Sequence, residues 1–275
     1  MAFEQPLLSL AATSVADDLG FVALADLAAV LPEKGDFRLV GGHMVTLHVH
    51  RLGLGAELYR ETADADLGAT PLMLADGTLV ERLERLGYHQ AAGDRWVRPL
   101  AGLSTATGVA AEAAIDLLIP AYQSRARQNV AVGERITALE VPGLPDALNR
   151  SPVVVALRLV RLDGSILQAR LPIPDVPASL GLKAFAWASR QTPKDAVDLW
   201  RCLEVARADG VGPDEFTTGR LPEAAGIIRS VLRRPDGPAL LAAARQRGLA
   251  GEARLRFGTR VAALITSALG PDTDE

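Results

Sequence analysis

Apolar positions follow two rhythms along this chain. Residues 12–31 place them every three to four positions, with Asp17 and Asp18 on the opposite side, which predicts a helix. Phe37 to Val40 predicts a short strand, and Gly41-Gly42 then opens the apolar segment HMVTLHVHRLG, expected to be helical. Thr62 to Ala69 alternates between turn residues and predicts a strand. Residues 77–86 predict an amphipathic helix, 88–100 a hairpin turning at Gly93-Asp94, and 113–120 a buried strand. Three further strands are expected in 135–143, 152–162 and 165–173, the last two joined by a turn at Asp163-Gly164. From Asp175 the rhythm becomes helical: 178–190, 193–209 with Pro193 at its start, then 221–234, 238–247 and 251–268. The expected class is α+β, a mixed sheet with flanking helices over residues 1–174 and a helical part over 175–275. No flexible linker separates the two parts, so they should pack closely.

Composition narrows the classes. With 49% hydrophobic and 23% charged residues over 275 positions, the chain is an ordinary globular one, not a disordered segment or a coiled-coil rod. The single Cys202 excludes an internal disulfide and a cysteine-rich zinc site. No uncharged apolar run approaches the roughly 20 residues a bilayer span needs. The N-terminus also lacks the basic start of a signal peptide, so the cytoplasm is the expected compartment. Residues 1–100 carry 8 Lys and Arg against 14 Asp and Glu, which excludes a basic surface over the whole protein. Residues 220–260 reverse the balance, nine Arg against three acids. That reads either as a solvated helical face or as a patch for RNA phosphates. Almost every basic residue is Arg. The three lysines, Lys34, Lys183 and Lys194, are therefore candidates for chemistry that needs a compact ammonium.

Three features in order carry candidate chemistry. Gly41-Gly42 lies where a strand hands over to a helix, where backbone N–H groups can approach a phosphate; a simple turn is the alternative. Asp64 and Asp66 on a strand point to one face with Cα atoms about 6.5–7 Å apart. Two such carboxylates make a platform for Mg²⁺, unless the strand merely faces solvent. Asp116 sits inside the apolar run AAIDLLIP. It reads as a third metal ligand of a two-metal site or as one partner of a buried Arg salt bridge.

This order, with Arg60-x-Thr62-x-Asp64-x-Asp66, resembles the nucleotidyltransferase superfamily typified by DNA polymerase β. A second motif, Leu182-Lys183-Ala184 followed by Arg190-x-x-x-Lys194-Asp195-x-x-Asp198-Leu199, resembles the AbiEii/AbiGii-type nucleotidyltransferases, many of them bacterial toxins. The resemblance covers roughly residues 37–205. It implies a nucleotidyltransferase-like fold and Mg²⁺ or Mn²⁺ on Asp64, Asp66 and Asp116. It further implies an NTP substrate held by Gly41, Gly42, His43, Arg60, Thr62, Lys183 and Lys194, with Lys183 and Asp198 in the catalytic set. The implied acceptor is a tRNA 3′ end, or else a protein hydroxyl, and an antitoxin protein the implied partner. A catalytically degenerate member that only binds nucleotide or a partner is the alternative. Two departures stand out. His43 occupies a position commonly filled by Ser or Thr, and Gly42 and Asp64 are 22 residues apart, longer than usual.

Rival signals are weaker. On a helix His43 and His50 share a face while His48 points elsewhere, so one ion cannot readily take all three. Gly53-Leu-Gly55 lacks the third glycine of a dinucleotide fingerprint. Phe185, Trp187 and Trp200 have the spacing of core residues.

Overall fold

The computed structural model describes residues 7–104, 110–123 and 126–271. A seven-stranded mixed sheet carries the centre. Its order is β2 (Phe37–Val40), β3 (Asp64–Ala69), β6 (Ala110–Pro120), β5 (Arg95–Ser104), β4 (His89–Ala92), with β8 (Ile136–Val141) and β7 (Val130–Val132) continuing beyond β6. β3 and β6 run parallel and their neighbours β2 and β5 antiparallel to them. A second sheet joins β1 (Leu7–Ala11) in parallel to β9 (Val153–Val160), which pairs antiparallel with β10 (Ile166–Ile173). The fold is α+β, as the hydrophobic rhythm led us to expect.

Helices begin and end for readable reasons. α1 (Val15–Val30) is capped by Ser14, which accepts from the Asp17 N–H at 3.2 Å. α6 (Val176–Arg190) starts at Asp175, which accepts from the Ala178 N–H. It stops where Gln191 turns left-handed at φ 52°. Thr192 then caps α7 (Pro193–Ala208) by accepting from the Asp195 N–H. Each such cap contributes about 1 kcal/mol, and together they make α6 and α7 a tight antiparallel pair. α8 (Leu221–Leu232), α9 (Pro238–Gln246) and α10 (Gly251–Leu269) complete the helical part. One cluster of buried apolar side chains runs continuously from Leu10 to Leu269, with Phe185 and Trp187 of α6 and Trp200 of α7 inside it.

Some elements differ from the sequence pattern. β3 starts at Asp64 rather than Thr62, and β1, β7, α3 (Pro71–Ala75) and α5 (Leu144–Asn149) arise where the pattern gives no element. β1 is five residues whose burial alternates poorly, and only its partner β9, far along the chain, makes it a strand. α4 (Thr78–Arg85) matches its expected span. No helix among the described residues is long and apolar enough to cross a membrane.

Candidate active site

The first half of the site is a strand–helix junction beside two parallel strands. α2 (Gly41–Arg51) follows β2 directly, and no side chain caps its N-terminus. Its first N–H groups thus remain available to an anion. The glycine pair has a packing reason as well. Gly41 has φ 69°, and a Cβ there would collide with the Asp66 carboxylate. A Cβ on Gly42 would lie 2.7 Å from Thr62 Oγ1 and 2.8 Å from Arg60 Nη2. Backbone and functional side chains approach too closely for any other residue.

Asp64 and Asp66 share one face of β3, while Ala65 and Leu67 on the other face are buried in the core. In the register of β3 with β6, Asp66 stands opposite Asp116. The three carboxylates therefore meet in one cleft of about 320 Å³, with Gly41 and Gly42 on its wall. Burial, with the neighbouring Asp64 charge adding to it, pushes the Asp66 carboxyl up to about 6. Burial and then the Asp66 charge push Asp116 up to about 7, against the pull of Arg95.

The second half comes from the α6–α7 pair. The Lys183 Nζ lies 2.8 Å from Asp198, which also takes Arg60 at 2.9 Å and Arg201 at 2.9 Å. Burial alone would raise the Asp198 carboxyl; the charges of Lys183, Arg60 and Arg201 overcome it and hold it well below the usual carboxylate range. One carboxylate thus organises three cations, leaving a net positive wall across from the acidic strands. Arg190 and Lys194 also line the cleft, Arg190 paired with Asp195 at 2.6 Å.

The cleft brings together Gly41, Gly42, Arg60, Thr62, Asp64, Asp66, Asp116, Lys183, Lys194 and Asp198. His43, expected with the nucleotide-binding residues, is the exception: it does not line this cleft. Its ring turns toward α1, where Gly20 leaves room: a Cβ on Gly20 would lie 2.6 Å from His43 Nε2. It lines a neighbouring cavity with His50 and Tyr59, while His48 goes the other way and contacts the Pro174 carbonyl at 2.9 Å. Burial lowers the His43 imidazole to about 4, so it is neutral near pH 7.

Two contributors escaped sequence reasoning. Arg95 on β5 faces Asp116 across the strand pair and reaches Asp116 at 2.9 Å and Asp64 at 3.6 Å. The salt-bridge alternative for Asp116 is thus part of the arrangement. Arg201 is fully buried and also donates to the Leu58 carbonyl at 2.5 Å. Its position one turn after Asp198 was the available signal.

A divalent cation fits the chemistry of this donor set. Three hard carboxylate donors crowd together, two with raised proton affinity, and the buried Thr62 Oγ1 on the same wall has no hydrogen-bond partner among the described residues. Among those residues no group of three His, Cys, Asp or Glu side chains is arranged to hold a metal ion, and Arg95 contacts both Asp116 and Asp64.

No family model and no curated protein matches the chain. Among solved structures it is similar to an antigenic nucleotidyltransferase-like protein from Paracoccidioides brasiliensis. The identity is 16% and the TM-score 0.45, over 87% of this chain and 97% of that one. At that TM-score the likeness decides nothing about activity.

Proposed function

We propose that the protein is a metal-dependent nucleotidyltransferase that moves a nucleoside monophosphate from an NTP to an acceptor hydroxyl and releases pyrophosphate. The observation that carries this reading is the register of Asp66 with Asp116, which sets three carboxylates opposite the Lys183–Arg60–Asp198 wall in one cleft. One wall suits divalent cations and the other suits phosphates.

Asp64, Asp66 and Asp116 would hold the cation, which when bound neutralises phosphate charge and makes the acceptor hydroxyl easier to deprotonate. The N–H groups at the start of α2 hold the phosphates, and Thr62 Oγ1 offers them a donor. Lys183 and Arg60, fixed by Asp198, orient the departing pyrophosphate without reorganising during transfer. Asp116, which Arg95 contacts at 2.9 Å, would receive the acceptor hydroxyl's proton. The resemblance noted above supports a finer form, with a tRNA 3′ end as acceptor and a toxin role opposite an antitoxin.

A degenerate protein that binds nucleotide without transfer is the second reading, and the Arg95 contacts with Asp116 and Asp64 favour it. One experiment separates the two. The protein is incubated with each labelled NTP, Mg²⁺, and either total tRNA or lysate protein, and labelled product and pyrophosphate are followed. Transfer is expected, abolished in Asp64→Ala and Asp66→Ala while their unfolding temperatures stay near wild type. Tight NTP binding with no pyrophosphate from any mixture supports the binding module, and full activity in both variants overturns the site.

A further inference from the structure

A second cleft lies on the other side of α7. Asp198 of that helix lines the carboxylate cleft, backed by Arg201, whereas Trp200, Glu204 and Arg207 line a cavity of about 710 Å³ closed by Arg247, Arg256 and Phe257. Its fourth wall is the segment 54–58, which includes the short turn Ala56–Leu58. That segment leads directly to Arg60 in the first cleft.

The lining has a specific chemistry. Trp200 and Phe257 meet edge to face, 5.4 Å between centroids, and form an apolar floor. The Arg247 guanidinium lies 4.1 Å over the Trp200 ring and 5.2 Å from Phe257. Neither Arg247 nor the exposed Arg207 has an ion-pair partner among the described residues. Trp200 Nε1 is buried, also without a hydrogen-bond partner among them. Four arginines line the cavity against only Glu57 and Glu204. Arg260 is engaged by Glu204 at 2.6 Å, and Arg256 pairs with Glu252 outside the cavity. Three of the nine arginines of residues 220–260 thus line this cavity, Arg247, Arg256 and Arg260, and Arg207 of α7 joins them. Arg234 instead pairs with Asp236, and Arg229 donates to the Leu269 carbonyl.

We infer that this cleft binds a single-stranded polynucleotide, its phosphates on Arg207 and Arg256 and one base stacked on the outer face of Arg247. A guanidinium backed by an indole offers a planar, charged surface that suits a base. Beside it, Arg207 has no ion-pair partner among the described residues and the Arg256–Glu252 pair is exposed and open to exchange, so both suit phosphodiesters. An acidic peptide would use the charge but not the plane. As an anchoring point for the acceptor strand, the cleft rests on the nucleotidyltransferase reading; as a binding site, it does not.

The test uses the full chain with a fluorescein-labelled, mixed-sequence single-stranded 12-nucleotide RNA, chelator present, and anisotropy titrations from 50 to 300 mM salt. Wild type should bind with affinity falling steeply with salt. The Arg207→Glu/Arg256→Glu double variant should lose at least tenfold, with the log–log slope shallower by about 0.7 per lost contact. Arg247→Leu should weaken binding at unchanged unfolding temperature, and Arg234→Glu should match wild type. The proposal is overturned by an absence of wild-type binding at 50 mM salt. It is equally overturned by an Arg234→Glu effect as large as the double variant's, or by a poly-glutamate peptide binding more tightly than the RNA. AMP competing as well as the 12-mer overturns the strand and leaves a mononucleotide pocket. Loss of RNA binding in Asp64→Ala/Asp66→Ala would move the site to the first cleft and overturn this one. RNA binding without nucleotidyl transfer retires the transferase reading alone; transfer with an unaffected Arg207→Glu/Arg256→Glu variant retires this inference alone.

Discussion

Asp116 is a part-buried and His48 a fully buried ionisable side chain, and their environments act on stability with opposite sign. Burial and the Asp66 charge push Asp116 up to about 7, so the folded protein holds a proton that the unfolded chain releases above about 4. Stability from this group is lost as pH rises from about 4 through 7. His48, held neutral by burial at about 4, has the reverse effect: the unfolded chain takes up a proton near 6.5 that the folded protein refuses. Stability from it is lost as pH falls from about 6.5 toward 4. Urea unfolding in chelator between pH 4.5 and 7.5 reads both. Asp116→Asn should gain on wild type as pH rises, and the deficit of His48→Gln should shrink as pH falls, each with a slope of at most about 1.4 kcal/mol per pH unit. Parallel curves for wild type and both variants would refute these assignments.

At the scale of elements, the junction of β2 with α2 joins packing and chemistry in two residues. Gly41 carries both a left-handed φ and the collision of a Cβ with Asp66. Gly164, in the turn between β9 and β10, has φ 82° but open space around it. Both Gly→Ala changes should cost about 1–2 kcal/mol for the backbone alone. Only Gly41→Ala should also displace the Asp66 carboxylate and abolish Mg²⁺-dependent NTP binding, measured by calorimetry beside chemical unfolding. Equal nucleotide binding in the two variants would mean that the junction is only a turn. The α6–α7 turn does comparable work. The left-handed Gln191 and the Thr192 cap fold α7 back on α6, and that reversal sets Lys183 against Asp198.

At the scale of the molecule, the first cleft exists only when β3, β6, α2, α6 and α7 are assembled, so its ligand binds the folded state alone. Mg²⁺ with the cognate NTP at 100 times its Kd should therefore stabilise by about 2.7 kcal/mol, raising the unfolding temperature by about 5 °C. The shift should vanish in Asp64→Ala/Asp66→Ala with the ligand-free temperature no lower than wild type, since the carboxylates repel one another without the cation, as followed by scanning calorimetry. A full shift in that variant would place the nucleotide elsewhere. What the sequence alone determined is what depends on near neighbours. The two-residue repeat put Asp64 and Asp66 on one face, the glycine pair marked the start of α2, and the three- to four-residue repeat with Pro193 located α7. What only the tertiary structure decided is what depends on partners far along the chain. Asp198 draws Arg60 and Lys183 as well as its neighbour Arg201, Asp116 faces Arg95 only through the β5–β6 register, and β1 is a strand because β9 lies beside it. His43 turned away because Gly20 of α1 left it a space. Side-chain periodicity is a property of the local backbone, whereas a carboxylate's ionisation and a ring's direction are set by whichever groups the completed fold brings against them.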